Sequence, residues 1–348
     1  MRHARVGSLV LFTTLFLASL PMIAFVGGEQ SFYEVINGQA QGTTYHITFQ
    51  KGRSTVTKMQ VDSVLQGIDR SLSLWVPNSL INTFNASGRL INMDSHMSTV
   101  VLRALEVAKS SGGTFDITVK PLVDAWGLGV KHGGGQIPSL GELARIKACV
   151  GSKFLSVRGR KLVKSRPCTQ IDANGIAQGY SVDVLAGLLE SKGIHDYLVE
   201  LGGEIRVSGV NSKGVPWTIG VEAAASNANE DAGLSATLQP GSGGITTAGN
   251  YRKYVESGGK RFSHIIDPRS GRPVDNGIVS VTVRAATAMD ADAWDDALMV
   301  LGVDSSFQLL ASHPELQARF ILATPDGRSR DTATAGFFVT TGRAGKRP

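Results

Sequence analysis

The chain has 348 residues, of which 42% are hydrophobic and 18% charged; at about 150 residues per domain that is room for one large domain or two smaller ones. This balance excludes a disordered chain, a fibrous repeat and a polytopic membrane protein. Lys and Arg number 35 against 29 Asp and Glu, a formal charge of +6; Arg2 and Arg5 supply two of these charges and the other basic residues are scattered, so no nucleic-acid footprint is read.

Residues 1–28 open with Arg2 and Arg5, run apolar from Val6 through Val26 and end at Gly27-Gly28. A basic start before an apolar stretch is the form of an export signal, and this one is also long enough for a membrane anchor. It predicts an extracytoplasmic, periplasmic protein, held at the inner membrane if the segment is retained. Neither cysteine lies near it, which excludes a lipidated N-terminal cysteine. Residues 29–342 are expected to be the folded domain, and 343–348, with Arg343, Lys346 and Arg347, a solvated basic tail.

Within the domain, alternation over Thr43–Phe49 predicts a half-buried strand. Helical spacing of Val61, Val64, Leu65, Ile68 and Leu72 predicts a helix over 57–72, and a second over 100–110 stops at Gly112-Gly113. Ser139 with Glu142 is a capping box that opens a third. Cys149 and Cys168 flank a predicted hairpin, 154–157 and 162–164 around Arg158-Gly159-Arg160. Its outer ends are within disulfide reach in an oxidising compartment, with two free thiols as the alternative. A fourth helix is expected over 180–192. Strands follow at 197–201, 205–209, 217–222, 261–266, 278–285, 319–323 and 337–341, with a helix over 288–301 between them. Residues 223–244, rich in Ala, Ser, Asn and Gly, read as a loop insertion. Strands and helices without strict alternation predict an α+β fold in one large mixed domain.

Three segments carry chemistry. Asp292 and Asp296 lie four residues apart on an apolar helical stretch and so share one face, where like charges repel unless a cation sits between them. Oxygen ligands of this kind suit Mg²⁺; the alternative places Asp295 and Asp296 in solvent. Asp292, among Ala291, Ala293, Ala297 and Leu298, is the acid most in need of a partner. The run from Ile171 through Asp172, Gly175, Gln178 and Gly179 to Asp183 puts glycines at a strand-to-helix junction. There, backbone N–H groups and the helix dipole can meet an anion, though a tight turn explains the glycines equally. His264, expected on a strand before a Pro and Gly turn, is a candidate general base or a structural histidine.

Taken in order, several segments resemble the FAD:protein FMN transferase (ApbE) family over residues 38–342. They are Gly42-Thr-Thr-Tyr45; Leu72-Ser-Leu-Trp75 with Ser79-Leu-Ile-Asn82; Gly113-Thr-Phe-Asp116 with Trp126-Gly127; Asp172 to Asp183; Glu200 to Glu204; Thr247-Ala-Gly-Asn-Tyr251; His264-Ile-Ile-Asp-Pro; and Ala291-Asp292 to Leu298. The resemblance implies that FAD is bound with Mg²⁺ and that a Thr or Ser hydroxyl of an acceptor redox protein attacks the phosphorus on the FMN side. AMP then leaves. It implies Asp292, Asp296 and the carbonyl of Gly175 as metal ligands and His264 as the catalytic base. Gln41, Trp75, Thr114, Phe115, Asp116, Asp172, Gln178 and Ile266 match positions that line the flavin nucleotide. The chain departs from the family pattern at Asp296 (usually Thr), Gln178 (often Lys), Gln41 (often Met), Ala248 (often Ser) and Asn250 (often Asp). Water as acceptor would make the same site an FAD pyrophosphatase, and binding alone would make it a flavin carrier.

Overall fold

The computed structural model describes residues 32–338 apart from 53, 131–136, 223–233, 251–253, 258–259, 325 and 327. The export or anchor segment and the basic tail therefore lie outside the described residues.

One antiparallel sheet organises the domain. Its eight strands are β1 (Tyr33–Ala40), β2 (Thr43–Gln50), β3 (Tyr197–Leu201), β4 (Glu204–Ser208), β5 (Gly243–Gly249), β6 (Ile278–Ala285), β7 (Gln317–Ala323) and β8 (Ser329–Ala333). They lie side by side in chain order, each antiparallel to the next. The other elements are insertions between neighbouring strands. Burial alternates along β2 and β3, as a sheet with one covered face requires.

Helices α1 (Lys58–Leu72), α2 (Leu80–Ala86), α3 (Ser95–Ser110), α4 (Lys120–Ala125), α5 (Leu140–Lys147) and α6 (Ala177–Glu190) fill the long insertion between β2 and β3. Helices α7 (Ala288–Leu301) and α8 (Val303–Leu310) follow β6. Thr57 and Gln60 form a capping box on α1, and Ser139 and Glu142 form the predicted one on α5. Helix α6 packs Val182, Leu185, Ala186 and Leu189 under β2 and β3, while α7 packs Ala293, Ala297 and Leu298 in one core with Val281, Val283 and Phe320. Gly179 is what lets α6 and α7 meet, since a Cβ there would collide with the Ala288 carbonyl and lie 2.7 Å from Asp292 Cβ.

Cys149 and Cys168 are joined in a disulfide, with Cα atoms 5.5 Å apart, across the hairpin of strands Leu155–Arg158 and Lys161–Lys164. The fold is α+β, as the element pattern implies, with local corrections. His264 stands in a bend between the short strands Lys260–Ser263 and Ile266–Asp267, because Ser263 Oγ accepts the Ile265 N–H at 3.1 Å and turns the chain. Phe337 and Phe338 form a turn, with Phe337 buried beside Trp217 and Val207; the rest of the strand expected over 337–341 lies outside the described residues. Within the expected loop, 223–233 is not described, but Leu234–Leu238 pairs with Ile219–Glu222 and β5 begins at Gly243. Strand β1 and helices α2 and α8 are elements beyond those expected from the sequence.

Candidate active site

The site is built where α6 begins and α7 passes it. Thr287 caps α7 by accepting the Asp290 N–H at 3.1 Å, and from α6 the two oxygens of Asp183 accept the Ala288 and Met289 N–H groups at 2.9 and 2.8 Å. Two independent caps fix the rotation of α7, so one of its faces is held toward the α6 N-terminus. On that face Asp292 is 6% exposed, and its Oδ2 accepts the Gly179 N–H at 2.8 Å. Asp296, one turn on, lies half-buried against Gly175: a Cβ on that glycine would strike its carboxylate, and the Phe115 ring is 3.4 Å from the same point. The solvent-facing alternative for Asp295 and Asp296 is excluded, since Asp295 is only 3% exposed.

The electrostatics follow from this crowding. Burial, and then Glu204, Asp296 and Asp183, push the Asp292 carboxyl well above the usual range. Asp295 rises for the same first reason, with Asp296, Asp292 and Glu204 adding to it. Asp296 is pushed up to about 7 by burial and by Asp172, and Asp172 to about 6 mainly by burial. Several buried acids with raised pKa values in one place are a demand for positive charge. No three His, Cys, Asp or Glu side chains converge as a complete metal cage among the described residues. Two carboxylates and a backbone carbonyl are nevertheless a set of hard oxygen donors, which fits Mg²⁺ completed by water and phosphate oxygens. Asp295 and Glu204 are members of this acidic group that sequence reading missed; the 292/295 spacing puts Asp295 near the same face, but its burial depends on β4 and β5.

The other predicted residues fall into three settings. Asp172 joins the acidic group directly: its N–H donates to the Ile117 carbonyl at 2.7 Å, and its Oδ1 accepts the Asn174 N–H at 2.9 Å. The Thr114–Asp116 segment runs alongside. Thr114 is buried and donates to the Ser111 carbonyl at 3.2 Å, while Asp116 accepts from Thr118 N, Thr118 Oγ1 and Ser152 N at 2.9, 2.7 and 2.6 Å.

Gln178 and Gln41 form the second setting, at the N-terminal turns of α6. Gln178 Nε2 donates to the Leu201 carbonyl at 3.2 Å and packs on Gly202, whose φ of +66° forms the β3–β4 turn. Gln41 holds the β1–β2 turn at φ +52° and donates to Ser181 Oγ at 3.0 Å; the same turn lines an open concavity of about 580 Å³ bounded by residues 39–44. Trp75 and Ile266 make the third. Trp75 is 63% exposed on the segment after α1, an aromatic face open to a ring. Ile266 is 5% exposed, its side chain enclosed by Leu122, Trp126, Leu143 and Val150 and its backbone in a short strand paired with Arg272–Pro273. His264 is half-buried beside Ile265, which belongs to the same core as Phe115, Ala291 and Leu298. Asn250 is spent on structure, donating to the Ile278 carbonyl at 2.6 Å.

Known proteins resemble this chain over most of its length. Residues 41–320 match the model of the ApbE family. The FAD:protein FMN transferase of Vibrio cholerae is 36% identical over 318 residues, covering 89% of this chain and 93% of the relative, and that of Escherichia coli K12 is 35% identical over 79% and 80%. Among solved structures, the flavin transferase ApbE from Vibrio cholerae superposes with a TM-score of 0.79 at 33% identity, over 88% of this chain and 98% of that one. The apo flavinyl transferase ApbE of Pseudomonas stutzeri gives 0.80 at 31%, over 88% and 96%. By sequence and by fold, this chain belongs to the ApbE family.

Proposed function

We propose that the chain is an Mg²⁺-dependent FAD:protein FMN transferase. The observation that carries this reading is the pair of acids Asp292, buried, and Asp296, half-buried, one helical turn apart, with Asp296 set against Gly175 just before α6. FAD is the substrate, with its diphosphate at the α6 N-terminus and its flavin and adenosine ends reaching the segments that carry Trp75, Thr114–Asp116, Gln41 and Gln178. Asp292, Asp296 and the Gly175 carbonyl would hold the metal, which when bound neutralises the charge that develops on the departing phosphate. His264 takes the proton of the acceptor's Thr or Ser hydroxyl. That oxygen forms a bond to the FMN-side phosphorus as the bond to the bridging oxygen breaks, and AMP leaves with the electron pair. Asp296 adds a negative charge where the family usually has threonine, and Gln178 removes a positive one near the phosphates. Both changes increase the need for the cation, so metal dependence is retained or strengthened.

The apolar residues 6–26 support export, and with it acceptors among extracytoplasmic redox proteins, with membrane association through the N-terminus. Among the described residues no helix is long and apolar enough to cross a membrane.

The test mixes the protein with FAD, Mg²⁺ and an acceptor bearing a target threonine, and reads flavin fluorescence on a denaturing gel. A fluorescent acceptor band that is lost with EDTA and with Asp292→Ala supports the reading. AMP release without a band would make the chain a pyrophosphatase, and yellow protein with neither would make it a carrier. Full transfer after chelation would remove the metal from the mechanism.

A further inference from the structure

The segment that brings Asp172 and Gly175 to α7 has no regular structure between Thr169 and Ala173, so it cannot hold its own shape. Asn85, at the end of α2 and 7% exposed, meets Ile171 as a neighbouring strand would. Its Nδ2 donates to the Ile171 carbonyl at 2.9 Å, and its Oδ1 accepts the Ile171 N–H at 2.7 Å. Lys164, 2% exposed, donates from Nζ to the Thr169 carbonyl at 3.0 Å. It also donates to the carbonyls of Phe84 and Asn85 at 3.0 and 3.5 Å and lies 4.7 Å from the centre of the Phe84 ring.

An ammonium group has three donors, and here it has three carbonyl partners, two of them at the C-terminal end of a helix where the dipole favours a cation. Burial alone would expel the charge, and it does pull the Lys164 pKa below its ordinary value. An apolar side chain of the same length would fill the space without that cost. It could not, however, tie α2 to the Thr169 carbonyl.

We propose that Asn85 and Lys164 are positioning residues for flavin transfer: they fix the backbone from Thr169 to Asp172 so that Asp172 and Gly175 stand in working geometry before FAD arrives. This rests on the reading of Asp172 and Gly175 given above. The Asp172 N–H bond to Ile117 and the disulfide at Cys168 hold the same segment from its other side. The contribution of Asn85 and Lys164 is therefore to its placement relative to α2, and loss of either should loosen the site while the fold survives.

The test uses the full chain with Asn85→Asp, Lys164→Met, Lys164→Arg and, as control, Asp172→Asn. FAD affinity is measured by quenching of flavin fluorescence, and KM for FAD and kcat are measured in the transfer assay. Asn85→Asp and Lys164→Met should raise the Kd and KM for FAD about tenfold or more, with kcat at saturating FAD within about threefold of the parent; Lys164→Arg should recover most of the loss. Variants that melt earlier but bind FAD with the parent's Kd and KM would overturn the proposal. If Asp172→Asn also binds FAD like the parent, the reading of Asp172 itself has failed and takes the proposal with it. Should a variant not fold, hydrogen exchange on the parent decides. Amides 169–175 protected before FAD is added support the proposal; amides that exchange freely until FAD is added overturn it.

Discussion

Asp116 and Asp292 are both buried acids within the same site, yet they are treated in opposite ways. Asp116 accepts three hydrogen bonds from Thr118 and Ser152, and they lock the Thr114–Asp116 segment to the chain that follows Cys149. Asp292 accepts one, from Gly179, and otherwise faces like charges in Glu204, Asp296 and Asp183. A buried acid surrounded by donors is part of the frame, whereas one surrounded by acids is arranged for something that has yet to bind. Position in the sequence motif does not separate the two; their partners do.

The largest expected effect on this contrast comes from Asp292→Asn. Transfer should fall by about a thousandfold, some 4 kcal/mol of barrier, while the chelator-treated protein keeps or gains thermal stability because a buried like charge is gone. Loss of stability with retained activity would break the comparison. Asp116→Ala should do the reverse: denaturant titration should show a loss of about 4 kcal/mol, from three donors left unpaired at about 1–3 kcal/mol each, and FAD binding should fail only as the fold does. Next in size, Cys149→Ser with Cys168→Ser should cost about 3 kcal/mol by releasing the loop between them, with the Asp116 side of the site loosened before α7.

The smallest effect is one of pH. Asp172 and Asp296, at about 6 and 7 in the fold, both lie above the value near 4 of an unfolded aspartate. Their contribution to stability is complete below about pH 4 and is lost as pH rises through 6 and then 7. Metal-free protein should therefore melt several degrees lower at about pH 8 than at about pH 5.5. Added Mg²⁺ should raise the melting point more at the higher pH; an equal rise at both would show that binding is not linked to these acids.

Much of α7 was legible in the sequence because its information is local. Four-residue spacing gave the shared face of Asp292 and Asp296, and the observed bounds, Ala288–Leu301, are those the periodicity predicts. The disulfide was legible as an option, since a hairpin fixes its own ends. Helix α6 begins at Ala177, three residues before its expected start, because the Ala177 N–H already donates to the Ala173 carbonyl through a turn with no capping side chain. What could not be read is whatever depends on distant partners. The depth of Asp295 comes from β5, the full use of Asp116 from Ser152, and the burial of Lys164 from the end of α2. A lysine closing a short exposed-looking strand carries no local sign that it will be enclosed.

The meander order of the sheet has a cost in time. Strand β2 can complete its pairing only when Tyr45 finds Leu201 and Phe49 finds Tyr197, so the first hairpin must wait for a partner encoded far downstream. Closing so long a span is entropically slow, and topologies dominated by distant pairings fold sluggishly. During synthesis the apolar face of Tyr45, Ile47 and Phe49 can therefore be covered at first only by the adjoining Val56, Val61 and Leu65, and gains its sheet partner only once Tyr197–Leu201 has emerged.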